Sequence, residues 1–212
     1  MTKIIITENQ LKRIVQEESM NGMDSAFFDA YKNNDTKTAM SLVKQAAKMA
    51  MPNTKIVDAN GEPLVVYHNT SRNFSEFNPL KSKSGRGMYF ATNPVGKVQN
   101  FILRSHDMAV FLNVVNPYSI DKESGKRDWD ITNSKYFDKY VGQENDGVLG
   151  FSNRMYDDGS LRQGYVKNNR SLEIVVFNPN QIKSANPFTF DDNGQLIPLS
   201  RRFDFNNNDI RY

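Results

Sequence analysis

Residues 64–70 read LVVYHNT. Leu64 to Tyr67 have the β-branched and aromatic make-up of a buried strand, and His68, Asn69 and Thr70 follow with no turn residue between. The strand therefore ends on an imidazole, an amide and a hydroxyl, three groups that donate or accept hydrogen bonds at one place. The one other histidine, His106, lies in RSHDM, where no partner pattern surrounds it and a surface position is expected.

At 212 residues the chain has ample length for a core, either as one large domain or as a domain with a small appendage. Its hydrophobic fraction of 38% is modest, and abundant Asn, Asp and Lys point to long polar loops. A formal net charge of +3 permits a phosphate-bearing partner without demanding one. The sequence has no cysteine, which excludes disulfides, thiolate metal sites and a cysteine nucleophile. Two histidines are too few for a usual zinc site, so no metal is expected. The opening MTKIIITENQLKRIV has only Ile4 to Ile6 as an apolar run, too short for the core of a secretory signal, and no stretch approaches a membrane span. The expectation is a soluble, cytoplasmic protein with no membrane contact; delivery would extend that to a host cytoplasm.

The first fifty residues read as helical. Thr7 to Glu18 opens on a capping box, Thr7 with Gln10, and carries Leu11, Ile14 and Val15 as an apolar stripe. Asn21-Gly22 predicts a break over Ser19 to Met23, after which a second helix covers Ser25 to Tyr31. A third runs from Asp35 or Thr36 to Ala50, with Ala39, Leu42, Val43, Ala46 and Ala47 on one face and Pro52 as its stop. Beyond it the pattern turns to short strands. These are Lys55 to Asp58 and Pro63 to His68 about a hairpin-type turn, then Gly87 to Thr92, Met108 to Val115, Asp146 to Phe151, Leu172 to Phe177 and Gln181 to Ala185. A helix is expected from Asn93 to about Leu103, partial helix over Asp128 to Tyr140, and a turn-rich polar tail after Phe188. That order describes an α+β chain, with a helical segment over residues 1–52 and a mostly antiparallel domain over 53–212.

Two further polar residues stand beside predicted strands. Tyr89 lies in GRGMYFAT, just after Gly87, and Glu173 opens EIVVFNPNQI, a carboxylate heading four apolar residues. Singly, each has a structural reading: a satisfied histidine, a half-buried tyrosine, a solvated glutamate. In order, VVYHNTSRNFSEF, GRGMYFAT and LEIVVFNPNQIKSA resemble the three signature segments of the ADP-ribosyltransferases, in the His-Tyr-Glu branch that contains diphtheria toxin and the poly(ADP-ribose) polymerases. The chain is also similar to the ADP-ribosyltransferase domain of phage and bacterial polyvalent proteins, in which the lead-in FFDAYKNNDTKTAMSLVKQAAKMA and the trailing FDDNGQLIPLSRRF recur.

The resemblance implies the ADP-ribosyltransferase fold, with split, mostly antiparallel β-sheets and flanking helices. It implies NAD as co-substrate and catalysis by Glu173, His68 and Tyr89. Glu173 would hydrogen-bond the nicotinamide-ribose 2′-hydroxyl, steady an oxocarbenium-like transition state and orient the acceptor. His68 would bind the adenosine ribose, the Asn69 backbone would grip the nicotinamide carboxamide with the Thr70 hydroxyl nearby, and Tyr89 would stack on the nicotinamide ring. Gly87 lines the same site, and Phe101 is the nearest aromatic to the second stacking tyrosine of the polymerases. Two departures stand out: Asn69 where the family usually has glycine, and Lys97 roughly where the polymerases carry a carboxamide-binding serine.

The acceptor is expected to approach over the loop before Glu173, which carries Arg154, Tyr156, Arg162 and Tyr165. Basic residues interleaved with aromatics suit RNA or DNA; the same composition describes a solvated loop, and a protein acceptor fits it equally. The resulting expectation is an NAD-dependent mono-ADP-ribosyltransferase acting on a macromolecule, a toxin or phage-conflict effector that needs an antitoxin or immunity protein. The alternatives are an NAD glycohydrolase and an inactive NAD- or nucleic-acid-binding module of phage origin.

Overall fold

The computed structural model describes residues 7–82, 87–92, 94, 106–119, 143–151 and 172–212. The helices expected over Asn93 to Leu103 and Asp128 to Tyr140 lie outside these residues. At the N-terminus, α1 runs unbroken from Glu8 to Lys32, so the break expected at Asn21-Gly22 does not occur. Glycine inside a helix costs only about 1 kcal/mol relative to alanine. Against that, Met20, Met23, Phe27 and Ala30 recur at helical spacing and pack into one apolar cluster, where a buried Phe27 alone contributes about 1.5–3 kcal/mol. A Cβ at position 22 would meet open space, so the glycine fills no packing need and its propensity cost is simply outweighed.

The second helix follows its sequence pattern closely. α2 spans Thr36 to Ala50; the Asp35 carboxylate caps it by accepting from the Thr38 amide at 3.0 Å and the Thr38 hydroxyl at 2.6 Å. Ala39, Val43, Ala46 and Ala47 are its buried face. Between α2 and the sheet, the expected hairpin turn forms at Asp58 to Gly61 with one bridge beside it, Val57 with Pro63, and the expected strand from Pro63 to His68 begins only at Val66. The buried Thr54 hydroxyl ties this segment to the sheet by donating to the Leu112 carbonyl at 2.7 Å.

Among the described residues the strands are β1 (Val66–Thr70), β2 (Met88–Ala91), β3 (His106–Leu112), β4 (Pro117–Ser119), β5 (Gly147–Phe151), β6 (Leu172–Val176) and β7 (Ile182–Ser184). They lie in the order β4-β5-β6-β2-β1-β3-β7, and every pairing is antiparallel except the parallel one between β4 and β5. Among the described residues the strands form one continuous order, with a thin seam between β1 and β2. β1 pairs with β3 along its whole length, from Val66↔Val110 to Thr70↔His106, whereas among the described residues β1 meets β2 at one register pair, Tyr67↔Ala91.

Strand alternation sorts the sheet into two faces. Val66, Met88, Phe90, Val110, Leu112, Ile174, Val176 and Ile182 bury one face together with Ile56, Phe77 and Ile210. On the other, Phe111 and Ala109 lie under α1, α2 and the tail, which contributes Leu199 and Phe203, while Val148 and Val175 pack with Tyr89, Tyr118 and Phe177. The polar-looking tail is thus a structural strap. Asp24 of α1 accepts from the Ser200 amide at 3.1 Å and hydroxyl at 2.6 Å. Lys183, fully buried on β7, donates to the carbonyls of Asn207 at 2.7 Å and Asp209 at 3.3 Å.

β5 enters the sheet at Gly147, where an added Cβ would stand 2.8 Å from the Val175 carbonyl oxygen and 3.1 Å from Val114 Cγ1. Backbone cannot yield there as a flexible side chain would. Gly147→Ala is therefore expected to cost about 1–3 kcal/mol, measured as a lower denaturant midpoint in equilibrium unfolding; an unchanged midpoint would show that β5 shifts freely.

Candidate active site

Three adjacent strands, β1, β2 and β6, carry His68, Tyr89 and Glu173. The local sequence explains the arrangement: each residue sits on an apolar strand whose neighbours bury it, so its backbone is held from both sides. On β6, Glu173 is 8% exposed and faces Ala91 on β2 and Gly150 on β5. Its directly opposed cross-strand neighbours are thus both small. Tyr89 is half-buried and pairs with Val175, one step along β6 on the same face as Glu173.

His68 does not share that face. Register puts Tyr67 with Ala91 and Glu173, so alternation turns the imidazole to the side of Phe90 and Ile174. There the ring is caged by Phe77, Phe90 and Phe74, with centroids 5.0, 5.6 and 6.2 Å away, and Phe74 and Phe77 meet each other edge to face. The loop phenylalanines are thus packed onto the imidazole. Despite the opposed face, Nδ1 of His68 lies 2.8 Å from the Tyr89 carbonyl and bridges the seam between β1 and β2. A carbonyl only accepts, so Nδ1 carries the proton and Nε2 is left as an acceptor in the neutral ring. Burial holds the imidazole below its ordinary value of 6.5, with the Tyr89 hydrogen bond opposing in part.

Asn69 and Thr70 continue β1 rather than leaving it as a loop. The Asn69 amide donates to the carboxylate of Asp107, directly opposite on β3, at 2.9 Å. The Thr70 hydroxyl accepts from the Arg72 amide at 3.2 Å, turning the chain at the strand end. His106 is exposed and pairs with Thr70. Gly87 is buried, and a Cβ there would run into the Val175 side chain and stand 3.1 Å from the Val176 carbonyl. Close packing of β2 on β6 therefore demands that glycine. Phe101, Lys97, Arg154, Tyr156, Arg162 and Tyr165 lie outside the described residues.

Sequence reasoning missed Asp107, whose place beside Asn69 depends on a register no local pattern encodes. It also gave no role to Asp146, whose carboxylate accepts from the amides of Val115 at 2.6 Å and Asn116 at 2.9 Å. Gln181 carried a readable signal, Asn178-Pro179 followed by Gln181 as a capping box. Its side chain accepts from the Asn178 amide at 2.9 Å and donates to the carbonyls of Asp146 at 2.8 Å and Asn113 at 3.1 Å. Gln181 thus fastens the ends of β3, β5 and β6 together. Among the described residues no group of three or more His, Asp or Glu side chains could hold a metal ion, and no helix is long and apolar enough to cross a membrane.

The histidine, tyrosine and glutamate of the three motif segments thus stand on three neighbouring strands of an α+β chain. A model of the family described as "ADP-Ribosyltransferase in polyvalent proteins" matches residues 58–191, and the chain belongs to that family. No curated protein and no solved structure matches it.

Because folded His68 titrates below 6.5, the unfolded chain binds the extra proton first as pH falls. Its contribution to stability is complete above that value and is lost as pH drops through the folded value. Unfolding free energies of wild type and His68→Asn at about pH 7.5 and about pH 5.5 are expected to converge toward acid. A constant gap between the two proteins would contradict a neutral, buried imidazole.

Proposed function

We propose that this protein is an NAD-dependent mono-ADP-ribosyltransferase whose catalytic domain spans residues 53–212, preceded by a helical segment over residues 1–52. The observation that carries the reading is the adjacency of β1, β2 and β6, with Nδ1 of His68 bonded to the Tyr89 carbonyl at 2.8 Å and Glu173 one strand further on. The dinucleotide lies at the seam between β1 and β2, where a ligand can meet groups from both faces. His68 offers Nε2 as acceptor to an adenosine-ribose hydroxyl. The Asn69 backbone holds the carboxamide, Thr70 lies beside it, and the Tyr89 ring packs on the nicotinamide.

In the reaction, the bond between the ribose anomeric carbon and the nicotinamide nitrogen breaks, and its electron pair stays on the nitrogen. Nicotinamide leaves neutral, so no strong acid is needed. The carboxylate of Glu173, flanked by Ala91 and Gly150, fixes the ribose 2′-hydroxyl and stabilises the positive charge that develops on the sugar. An acceptor nucleophile then bonds to the anomeric carbon and gives up its proton, with Glu173 as the orienting base. The acceptor is a macromolecule, protein or nucleic acid, approaching over the loop that bears Arg154, Tyr156, Arg162 and Tyr165. An enzyme that modifies macromolecules in this way suits a toxin or phage-conflict effector acting in a cytoplasm and restrained by an antitoxin or immunity protein.

The test is nicotinamide release from NAD by the purified protein, beside Glu173→Ala, with protein, RNA or DNA fractions added. Release that falls about 10²–10³-fold in the variant, and rises with one fraction only, is the expected result. Equal release whatever is added would make water the acceptor, and no release by folded wild type would overturn the transferase reading.

A further inference from the structure

Position 69 lies on the strand that leaves His68, and the residue there is one that a close backbone contact would not choose. A glycine would leave the β1 backbone open to a bound molecule; an asparagine adds a side chain that can swing over it. The structure gives that side chain a fixed direction. Its Nδ2 donates to Asp107 Oδ1 at 2.9 Å, across the β1–β3 pairing, in which Asn69 and Asp107 stand directly opposite. A carboxylate only accepts, so the pairing also fixes which end of the amide faces β3. The seam lies on the other side of β1, toward β2. Bonding to Asp107 thus draws the Asn69 side chain along the sheet and away from the seam.

We propose that Asp107 is a positioning residue for NAD binding: it holds the Asn69 side chain on β3 so that the β1 backbone at position 69 stays open to the dinucleotide. This rests on the transferase reading and deepens it. Three observations converge on Asp107. It shares a strand face with Asn69, Ala109 and Phe111, so the apolar cluster under α1 and α2 anchors the strand that bears it. It is half-buried, where a hydrogen bond to a charged acceptor outweighs the same bond in open solvent. It also stands two strands from Tyr89, on the face that carries Glu173, so its carboxylate and that of Glu173 lie on opposite sides of the seam. Carboxylates so separated can take different roles, one at the reacting ribose and one behind the backbone that holds the carboxamide.

The coupling between positions 69 and 107 is what separates this account from a purely structural role. The measurement is calorimetric binding of NAD to wild type, Asp107→Ala, Asn69→Gly and the double variant, with thermal unfolding of each alongside. Asp107→Ala in the wild-type background is expected to weaken NAD binding about tenfold. In the Asn69→Gly background, where no side chain needs holding, the same substitution is expected to change affinity less than about twofold. An equal loss in both backgrounds, or no loss in either, overturns the proposal. If Asp107→Ala lowers unfolding temperature in both backgrounds while the affinity loss appears only with Asn69 present, the proposal stands. Failure of folded wild type to bind NAD would defeat the transferase reading and this inference with it, whereas a wild type that binds NAD and an unaffected Asp107→Ala defeat this inference alone.

Discussion

Among the described residues β1 and β2 share one register pair, yet the candidate site residues lie just beyond it, so something other than the ladder has to set their spacing. The hydrogen bond from Nδ1 of His68 to the Tyr89 carbonyl does this. The imidazole is a rigid plane, and with Nδ1 committed to the bond its orientation is fixed by the backbone of the neighbouring strand. Phe74, Phe77 and Phe90 pack around it, and burial holds its pKa below the ordinary value, which favours the neutral ring that the bond requires. The rest of the chain supports this arrangement in turn. The Ile210 amide donates to the Ser75 carbonyl at 2.8 Å, and Asp209 bridges to Glu76, so the tail pins the loop that carries Phe74 and Phe77. Asp209 is itself held by the Arg211 guanidinium at 2.7 Å; burial pushes its carboxyl up, and the Arg211 bonds outweigh that and hold it below the ordinary value.

The N-terminal helices bear on the same construction. They cover β3 at Phe111 and Ala109, and through Asp24 they fasten the turn at Ser200. β3 pairs with β1 along its full length, so rigidity in the helical layer passes to the strand that presents His68, Asn69 and Thr70. On the far side of the seam, Gly87 lets β2 approach β6 closely, and Gln181 locks the end of β6. Each side of the seam is thus braced by its own set of contacts, while the seam carries the imidazole bridge.

Much of this was legible in the residues. Apolar runs bounded by Asn-Pro and Gly located β2, β3, β5 and β6, and the alanine-rich face of α2 appeared where the pattern placed it. Propensity failed at Asn21-Gly22, because the packing of Met20, Phe27 and Ala30 outweighs a local preference that a sequence window sees alone. The tail looked merely turn-rich, since Ile197, Leu199, Phe203 and Ile210 are buried at irregular spacing with no helical or strand period to reveal them. Within the candidate site, the partners of the residues singled out were not readable. Asn69 beside Asp107, and Ala91 and Gly150 beside Glu173, follow from registers between strands far apart in sequence. The opposed faces of His68 and Glu173 likewise emerge only once Tyr67 is known to pair with Ala91.

The central claim is that NAD binds at the seam between β1 and β2. Amide hydrogen exchange of the purified protein, with and without NAD, tests it most directly. Added protection concentrated in residues 66–70, 87–92 and 172–176, with α2 and the turn at Ser200 unchanged, is the predicted result. Protection confined to the helices or tail, with none at the seam, would contradict it.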